Sequence, residues 1–321
     1  QERMVVPLYE ALQDYIDNSP YFGTHEMTVP LLLEVGDQDG IVGEEIASSG
    51  TTDMVVVMEK QADLSAAYSI RDWKARGRYV YDTLRSVAQT RQAEAQEYLK
   101  SHGLAYQSFF AGNELYVYGG DLTVATALAN LDDVALVRAP RMGYVDPALA
   151  QAQAAPEGPD ALAWGIDWVE ADLFWGAFGI QGEGIIVSNI DTGVQWNHPA
   201  LDQAYKCPGN PTDASCWLDP SNACGGTVCD NNGHGTHTMG TMVADDDPSL
   251  TWQAGMAPNA QFIMCKGCES SSCSTTALNA CGDWVVAPGG NPDNRPNVVN
   301  NSWGGGYGAC DIWYRAKVQA W

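Results

Sequence analysis

Positive charge is scarce in this 321-residue chain: 16 Lys and Arg stand against 40 Asp and Glu, a formal net charge of −24. Nucleic acid is thereby excluded as a partner, because a phosphate backbone is bound by neutralising it with Lys and Arg. Such acidity fits an exported protein or one adapted to salt, and it names no substrate. Long apolar runs are missing too. Nothing approaches the roughly 18 consecutive apolar residues of a membrane-crossing helix, so no membrane span is expected. No basic-then-apolar leader opens the chain, which starts at Gln1 rather than Met, and the expectation is an amino terminus that is missing or processed. Cysteine is absent from the first 206 residues.

The cysteine that is present lies together. All nine, at positions 207, 216, 224, 229, 265, 268, 273, 281 and 310, fall between residue 207 and the end of the sequence. In an exported protein this pattern reads as a disulfide-stapled region beside an unstapled one, the odd count leaving one thiol free or paired outside the chain. The competing reading is a zinc site at Cys265-x-x-Cys268, although the second pair departs from zinc-ribbon spacing.

The chain is organised around residues 230–245, which begin Asp-Asn-Asn-Gly-His-Gly-Thr-His. Asp230 and the asparagines read as a turn, and the small side chains from 236 to 244 suit a helix packed closely on its neighbours. His234, between two glycines at the helix mouth, is placed to exchange protons with a docked group. His237 reads as a helix residue with a buried hydrogen bond. Forty-three residues before His234, the run 185–190 is apolar, bounded by glycine and rich in β-branched residues, and predicts a buried parallel strand. Asp191 stands at its carboxyl end, where open α/β sheets place their chemistry. A carboxylate there can orient a histidine, fix its tautomer and stabilise the imidazolium that forms. Asp191 and His234 thus make two thirds of a nucleophilic triad, in the order Asp then His.

These residues carry a resemblance. The motifs are Asp-Thr-Gly at 191–193, His-Pro at 198–199, Asn-Gly-His-Gly-Thr-His at 232–237, Gly-Met-Ala-Pro at 255–258 and Asn-Ser-Trp-Gly at 301–304. With them, residues 164–306 resemble the amino-terminal half of a subtilisin-like serine protease, a subtilase, of the bacillopeptidase F-like branch. The resemblance implies a subtilisin-like three-layer α/β fold around a parallel sheet, incomplete here, and peptide-bond hydrolysis by an Asp-His-Ser triad. His234 would be general base and then general acid, with Asp191 orienting it. Ser302, Trp303 and Gly304 would form the edge that pairs with an extended substrate backbone, glycine letting another chain come close. Asn232 would line the same cleft. The chemistry requires no cofactor. A structural calcium is implied near the His-Pro motif, but Ala200 stands where an Asp ligand is expected, with Asp202 two residues on.

Taken in order, residues 1–53 carry no assignable function: a short helix is expected at 7–16, an apolar stretch runs from 28 to 35, and 41–53 looks like a linker. Residues 54–145 have a βαββαβ rhythm. The parts are a strand at 54–58, a helix at 79–102 stopped by Gly103, a hairpin of 104–110 and 114–118, a helix from the Asp121 cap to 131, and a strand at 134–137. This is the ferredoxin-like α+β order. Placed directly before the subtilase motifs, it resembles the inhibitor-type propeptide of that family, which chaperones folding and covers the cleft as an intramolecular inhibitor until it is cut away. Residues 146–163, rich in Ala, Gln and Pro, read as an exposed linker and a place for the cut. In 164–321 the expectations are a helix at 169–178, two local disulfides within 202–229, a strand at 261–266, a helix at 275–286, a strand at 297–302 and a helix at 313–321.

The third triad member is not found. No Gly-Thr-Ser occurs in the sequence, whereas the family carries its serine in Gly-Thr-Ser-Met-Ala and its oxyanion Asn well beyond Ser-Trp-Gly. The expectation is therefore a secreted endopeptidase zymogen seen without its carboxyl-terminal part, inactive by itself and acting on polypeptides when whole. Three rivals remain. An aspartic protease would use Asp191, but it has no second Asp-Thr-Gly and leaves His234 unexplained. A metal site on His234, His237 and nearby cysteines lacks a Glu between the histidines. A non-catalytic pseudoprotease or split module that binds peptides is compatible with every residue.

Overall fold

The computed structural model describes residues 50–145, 161–245, 252–305 and 313–321, all within one compact unit. The helix expected at 7–16, the apolar stretch at 28–35, and most of both expected linkers lie outside the described residues.

Residues 52–138 build the expected order. Strands β1 (Thr52–Met58), β2 (Tyr106–Phe109), β3 (Glu114–Gly120) and β4 (Val134–Arg138) form an antiparallel sheet arranged β2-β3-β1-β4. Helices α1 (Trp73–Arg91), α2 (Ala93–Ser101) and α3 (Leu122–Ala129) lie between them in the chain. Alternation decides which side chain goes where. Met54, Val56, Met58, Leu115 and Val117 share a core with Leu99 and Leu128 of the helices. Val55, Phe109 and Tyr116 instead pack with Ala280, far along the chain. Both faces of the sheet are thus covered, which is why β1 reads Met-Val-Val-Val-Met rather than alternating polar and apolar.

The single helix expected at 79–102 is two helices, and it begins six residues early. Asp72 caps α1 by accepting the Ala75 N–H at 2.7 Å. The break falls at Gln92, which is fully buried. Its amide donates to the Phe109 carbonyl at 3.1 Å and to Asn113 Oδ1 at 3.0 Å, and its oxygen accepts from Ser108 and Gln96. A buried amide that ties the helix to the hairpin in this way takes the place of an unbroken helical surface.

After β5 (Met142–Tyr144) and β6 (Ala161–Leu162), the chain forms α4 (Trp164–Trp168) and α5 (Ala171–Phe178), where one helix at 169–178 was expected. Glu170 between them takes a left-handed φ of 57°. Strands β7 (Ile186–Asp191), β8 (Trp217–Leu218), β10 (Gln261–Lys266) and β12 (Val298–Asn301) make a parallel sheet in the order β12-β7-β10-β8. Strand β9 (Trp252–Gln253) pairs with β6. Helices α6 (His234–Val243) and α7 (Thr275–Val286) pack on the parallel sheet, β11 (Ser272–Ser274) pairs with β5, and α8 (Arg315–Ala320) packs on α7. The core here unites Ile190, Val194, Met239, Val243, Phe262, Met264 and Leu278. Disulfides join Cys207 to Cys216 and Cys224 to Cys229, the two local staples expected. Cys265 pairs with Cys281 and Cys268 with Cys273, so the Cys-x-x-Cys sulfurs are engaged in different bridges. Cys310 lies outside the described residues.

Buried polar groups join the two sheets. Asp283 of α7 accepts the N–H groups of Phe110 and Ala111, at 3.0 and 2.7 Å, in the turn after β2. Glu114 opens β3 with a carboxylate that accepts from Lys317 Nζ at 2.6 Å and from the Asn279 amide, and Arg138 stands 3.8 Å from its other oxygen. Lys317 and Glu114 are 1% and 2% exposed in their side chains. Burial pulls the Lys317 ammonium below its ordinary pKa, opposed by the Glu114 carboxylate.

Two predictions follow from these groups. Glu114→Ala leaves the Lys317 ammonium buried and unpaired, and should cost about 3–5 kcal/mol in urea unfolding; pairing Glu114→Leu with Lys317→Met should recover most of it. Burial also pushes Asp283 from 3.8 up to about 7, against the backbone N–H groups and Lys317, which pull it down. A folded-state value above the unfolded one gives stability that is whole below the unfolded value, near pH 4, and lost as pH rises through about 7. Urea midpoints of wild type should therefore fall relative to Asp283→Asn across that window; a difference that does not vary with pH would contradict the assignment.

Candidate active site

Asp191 is the last residue of β7, flanked by β10 and β12. Its carboxylate is fully buried and receives three donors: His234 Nδ1 at 2.7 Å and the Thr192 N–H at 2.7 Å on Oδ1, and the Thr238 hydroxyl at 3.2 Å on Oδ2. A carboxylate that accepts on both oxygens leaves Nδ1 as the donor, so the proton sits on Nδ1 and Nε2 is left as the acceptor. His234 opens α6 with 11% of its side chain exposed.

Several contacts hold the helix mouth against the strand end. The Thr192 hydroxyl accepts the Gly235 N–H and donates to Asp230 Oδ1, each at 2.8 Å. Asn189, also in β7, donates to the Gly235 carbonyl at 3.1 Å. Asp230 gathers the N–H groups of Asn232, Gly233 and Thr236 and the Thr236 hydroxyl. Burial would raise the Asp230 carboxyl, but the Thr236 and Thr192 hydroxyls and the backbone N–H groups outweigh it and hold its pKa below the ordinary value. Lys266, paired in register with Asp191, buries its ammonium against the Thr192 carbonyl and Asn231 Oδ1. Burial lowers its pKa, opposed by Asp230, Asp219, Glu269 and Asp191. From sequence Asp230 reads only as a turn residue, and neither Lys266 nor Thr238 stands out. The available signals were a carboxylate six residues before a helix threonine and a lone lysine closing an apolar strand.

Asn232 is exposed, and its Oδ1 accepts the His234 N–H at 3.2 Å, a capping contact beside the histidine. His237 is exposed rather than buried, because its place on α6 faces away from the sheet. β12 pairs with β7 up to Asn301 opposite Ile190, which delivers Ser302 to the edge where Asp191 ends. The Ser302 hydroxyl is bonded to Asn300. Gly304 exchanges two backbone hydrogen bonds with Tyr144, at 2.8 and 2.9 Å. On the other side β5 pairs with β11, Gly143 opposite Cys273. The chain's own strand 142–144 therefore lies between the two edges. At the expected calcium position Ala200 is buried, brings no side-chain oxygen and gives its carbonyl to the Asp245 N–H, while Asp202 is exposed. Among the described residues the one grouping of three metal-binding side chains is Cys207, Asp213 and Cys216, whose sulfurs are joined to each other.

A methyl group at Gly235 would lie 2.0 Å from the Gly193 carbonyl oxygen and 3.2 Å from Asp191 Oδ1, whereas one at Gly240, on the same helix, would meet nothing within 4 Å. Gly235→Ala should accordingly cost about 1–3 kcal/mol in thermal unfolding, while Gly240→Ala should be neutral or stabilising by roughly 0.5–1 kcal/mol. Equal effects would contradict the close approach.

Residues 182–319 match the subtilase family, Peptidase_S8. Bacillopeptidase F of Bacillus subtilis (strain 168) is 41% identical over 182 residues, 54% of this chain and 12% of that protein. The major intracellular serine protease of the same organism is 35% identical over 105 residues, 33% of this chain and 30% of that protein. Thermitase of Thermoactinomyces vulgaris is 32% identical over 141 residues, 44% of each. The chain thus spans less than half the length of these relatives. Fervidolysin from Fervidobacterium pennivorans, a keratinolytic enzyme related to subtilisin, superposes with a TM-score of 0.52 at 17% identity, over 84% of this chain and 38% of that one. A mutant of the epidermin leader peptide processing serine protease from Staphylococcus aureus gives 0.52 at 16%, over 84% and 57%. The fold is therefore subtilisin-like, and residues 182–319, which hold Asp191 and His234, match the subtilase family.

Proposed function

We propose that this chain belongs to a secreted subtilisin-like serine endopeptidase zymogen. The observation that carries the reading is the Asp191–His234 contact of 2.7 Å at the carboxyl end of a parallel strand, beside an edge that already holds an extended backbone. His234 Nε2 takes the proton from a serine hydroxyl as that oxygen attacks the peptide carbonyl, and later returns it to the leaving amine. Asp191 holds the ring in the Nδ1–H tautomer and stabilises the imidazolium. Ser302, Trp303 and Gly304 align the substrate as an added strand. In this reading the nucleophilic serine and the oxyanion donor are not supplied by the motifs above, since no Gly-Thr-Ser occurs in the sequence.

Residues 54–145 act as an intramolecular inhibitor whose tail, β5, occupies the substrate edge, with release by a cut in 146–163. The antiparallel pairing of β5 and its two bonds to Gly304 support this. Four disulfides support export to an oxidising compartment, and no helix among the described residues is long and apolar enough to cross a membrane. A peptide-binding relative without activity is the second reading, favoured by the edge being complete without a serine.

The test is casein hydrolysis and labelling by a serine-directed fluorophosphonate in the polypeptide encoded by the complete gene. His234→Ala should lower kcat by about 10⁶, and Asp191→Asn by about 10⁴ with KM little changed. Absence of labelling, or activity indifferent to His234, would leave the peptide-binding reading.

A further inference from the structure

Residues 141–145 run as an extended backbone between β11 and Gly304. Arg141 is tied at both backbone groups to the Thr275 hydroxyl, Tyr144 is paired with Gly304 and flanked by β11, and the Val145 N–H donates to the Ser271 carbonyl at 3.1 Å. In this extended backbone the side chains alternate. Met142 and Tyr144 are about half exposed, at 45% and 53%, and Val145 is buried in the core of the subtilisin-like part. Gly143 faces inward with Val145.

A methyl group at Gly143 would lie 3.2 Å from Trp303 Cε3, 3.3 Å from Cys273 Cβ and 3.3 Å from Leu278 Cδ1. Gly143 is not among the glycines with positive φ, so space and not backbone conformation calls for glycine here. None of the three walls can retreat easily. Trp303 is held edge-on to Tyr314, with ring centroids 4.9 Å apart, and lies beside Trp313. Cys273 is fixed by its bridge to Cys268, and Leu278 is fully buried on α7. A tryptophan thus closes the site that would take the inward side chain, while the next inward site is open to a branched aliphatic.

We infer that this cleft selects extended polypeptides with glycine, or at largest alanine, at the position facing Trp303, and an aliphatic residue two positions on. The exposed positions before and between are unrestricted. The inference rests on the reading that these edges bind substrate backbone, and it makes Trp303 the residue that sets the choice.

The experiment is amide hydrogen exchange on the 321-residue chain, following Tyr144 and Val145, with β1 and β7 as controls for folding. Exchange at Tyr144 and Val145 should rise in the order Gly143→Ala, Gly143→Val, Gly143→Leu, by about tenfold or more for leucine, with β1 and β7 still protected. Met142→Leu should change nothing, and Trp303→Ala should restore protection to Gly143→Leu. A silent Gly143→Leu, or a double variant no better protected than Gly143→Leu, would overturn the inference. Wild-type Tyr144 and Val145 without protection would overturn it together with the substrate-edge reading, whereas a protected wild type with silent Gly143 variants would sink the inference alone.

Discussion

The first turn of α6 rests on the carboxyl end of β7 so closely that glycine alone fits at 235, where a Cβ would lie 2.0 Å from the Gly193 carbonyl oxygen. That approach puts His234 within 2.7 Å of a carboxylate with no exposure to water. Thr192 shows how few atoms enforce the arrangement: its hydroxyl takes the Gly235 N–H and gives its own proton to Asp230, which in turn gathers the helix mouth. Lys266 supplies a buried positive charge among these carboxylates.

The two sheets depend on each other through the same economy of buried polar groups. The antiparallel sheet has apolar residues on both faces, so the face carrying Val55 and Tyr116 needs a cover, and α7 provides it. Specific register comes from the polar contacts. Asp283 takes the turn after β2, and one oxygen of Glu114 takes Lys317 and Asn279 while the other faces Arg138. From this docked sheet the chain leaves at Arg138 and four residues later begins β5. The strand that pairs with β11 and Gly304 is thus delivered by a packed sheet rather than by a free tail.

Much of this was legible in the sequence because it rests on local rules. The Asp191 strand end, the His234 helix mouth, the 261–266 strand and the 275–286 helix follow from apolar period and small-residue composition. The two short disulfide loops follow from spacing. What was not legible depends on partners distant in the chain. Gln92 looks like any helix-surface amide until the hairpin carbonyl of Phe109 meets it, and so a two-helix segment read as one. His237 looks equivalent to His234, and only the side of α6 that meets β7 separates them. That Gly143 faces Trp303 needed the register of β5 on β11.

The central claim is that Asp191 fixes His234 with its proton on Nδ1 and an acceptor at Nε2. Nitrogen-15 NMR of the imidazole, assigned with a His234→Gln control, reads this directly. A proton bonded to Nδ1 and shifted far downfield, with Nε2 bare in the neutral ring, is the result predicted. A neutral ring carrying its proton on Nε2 would contradict the account, since such a histidine could neither donate to Asp191 nor accept a proton from a nucleophile.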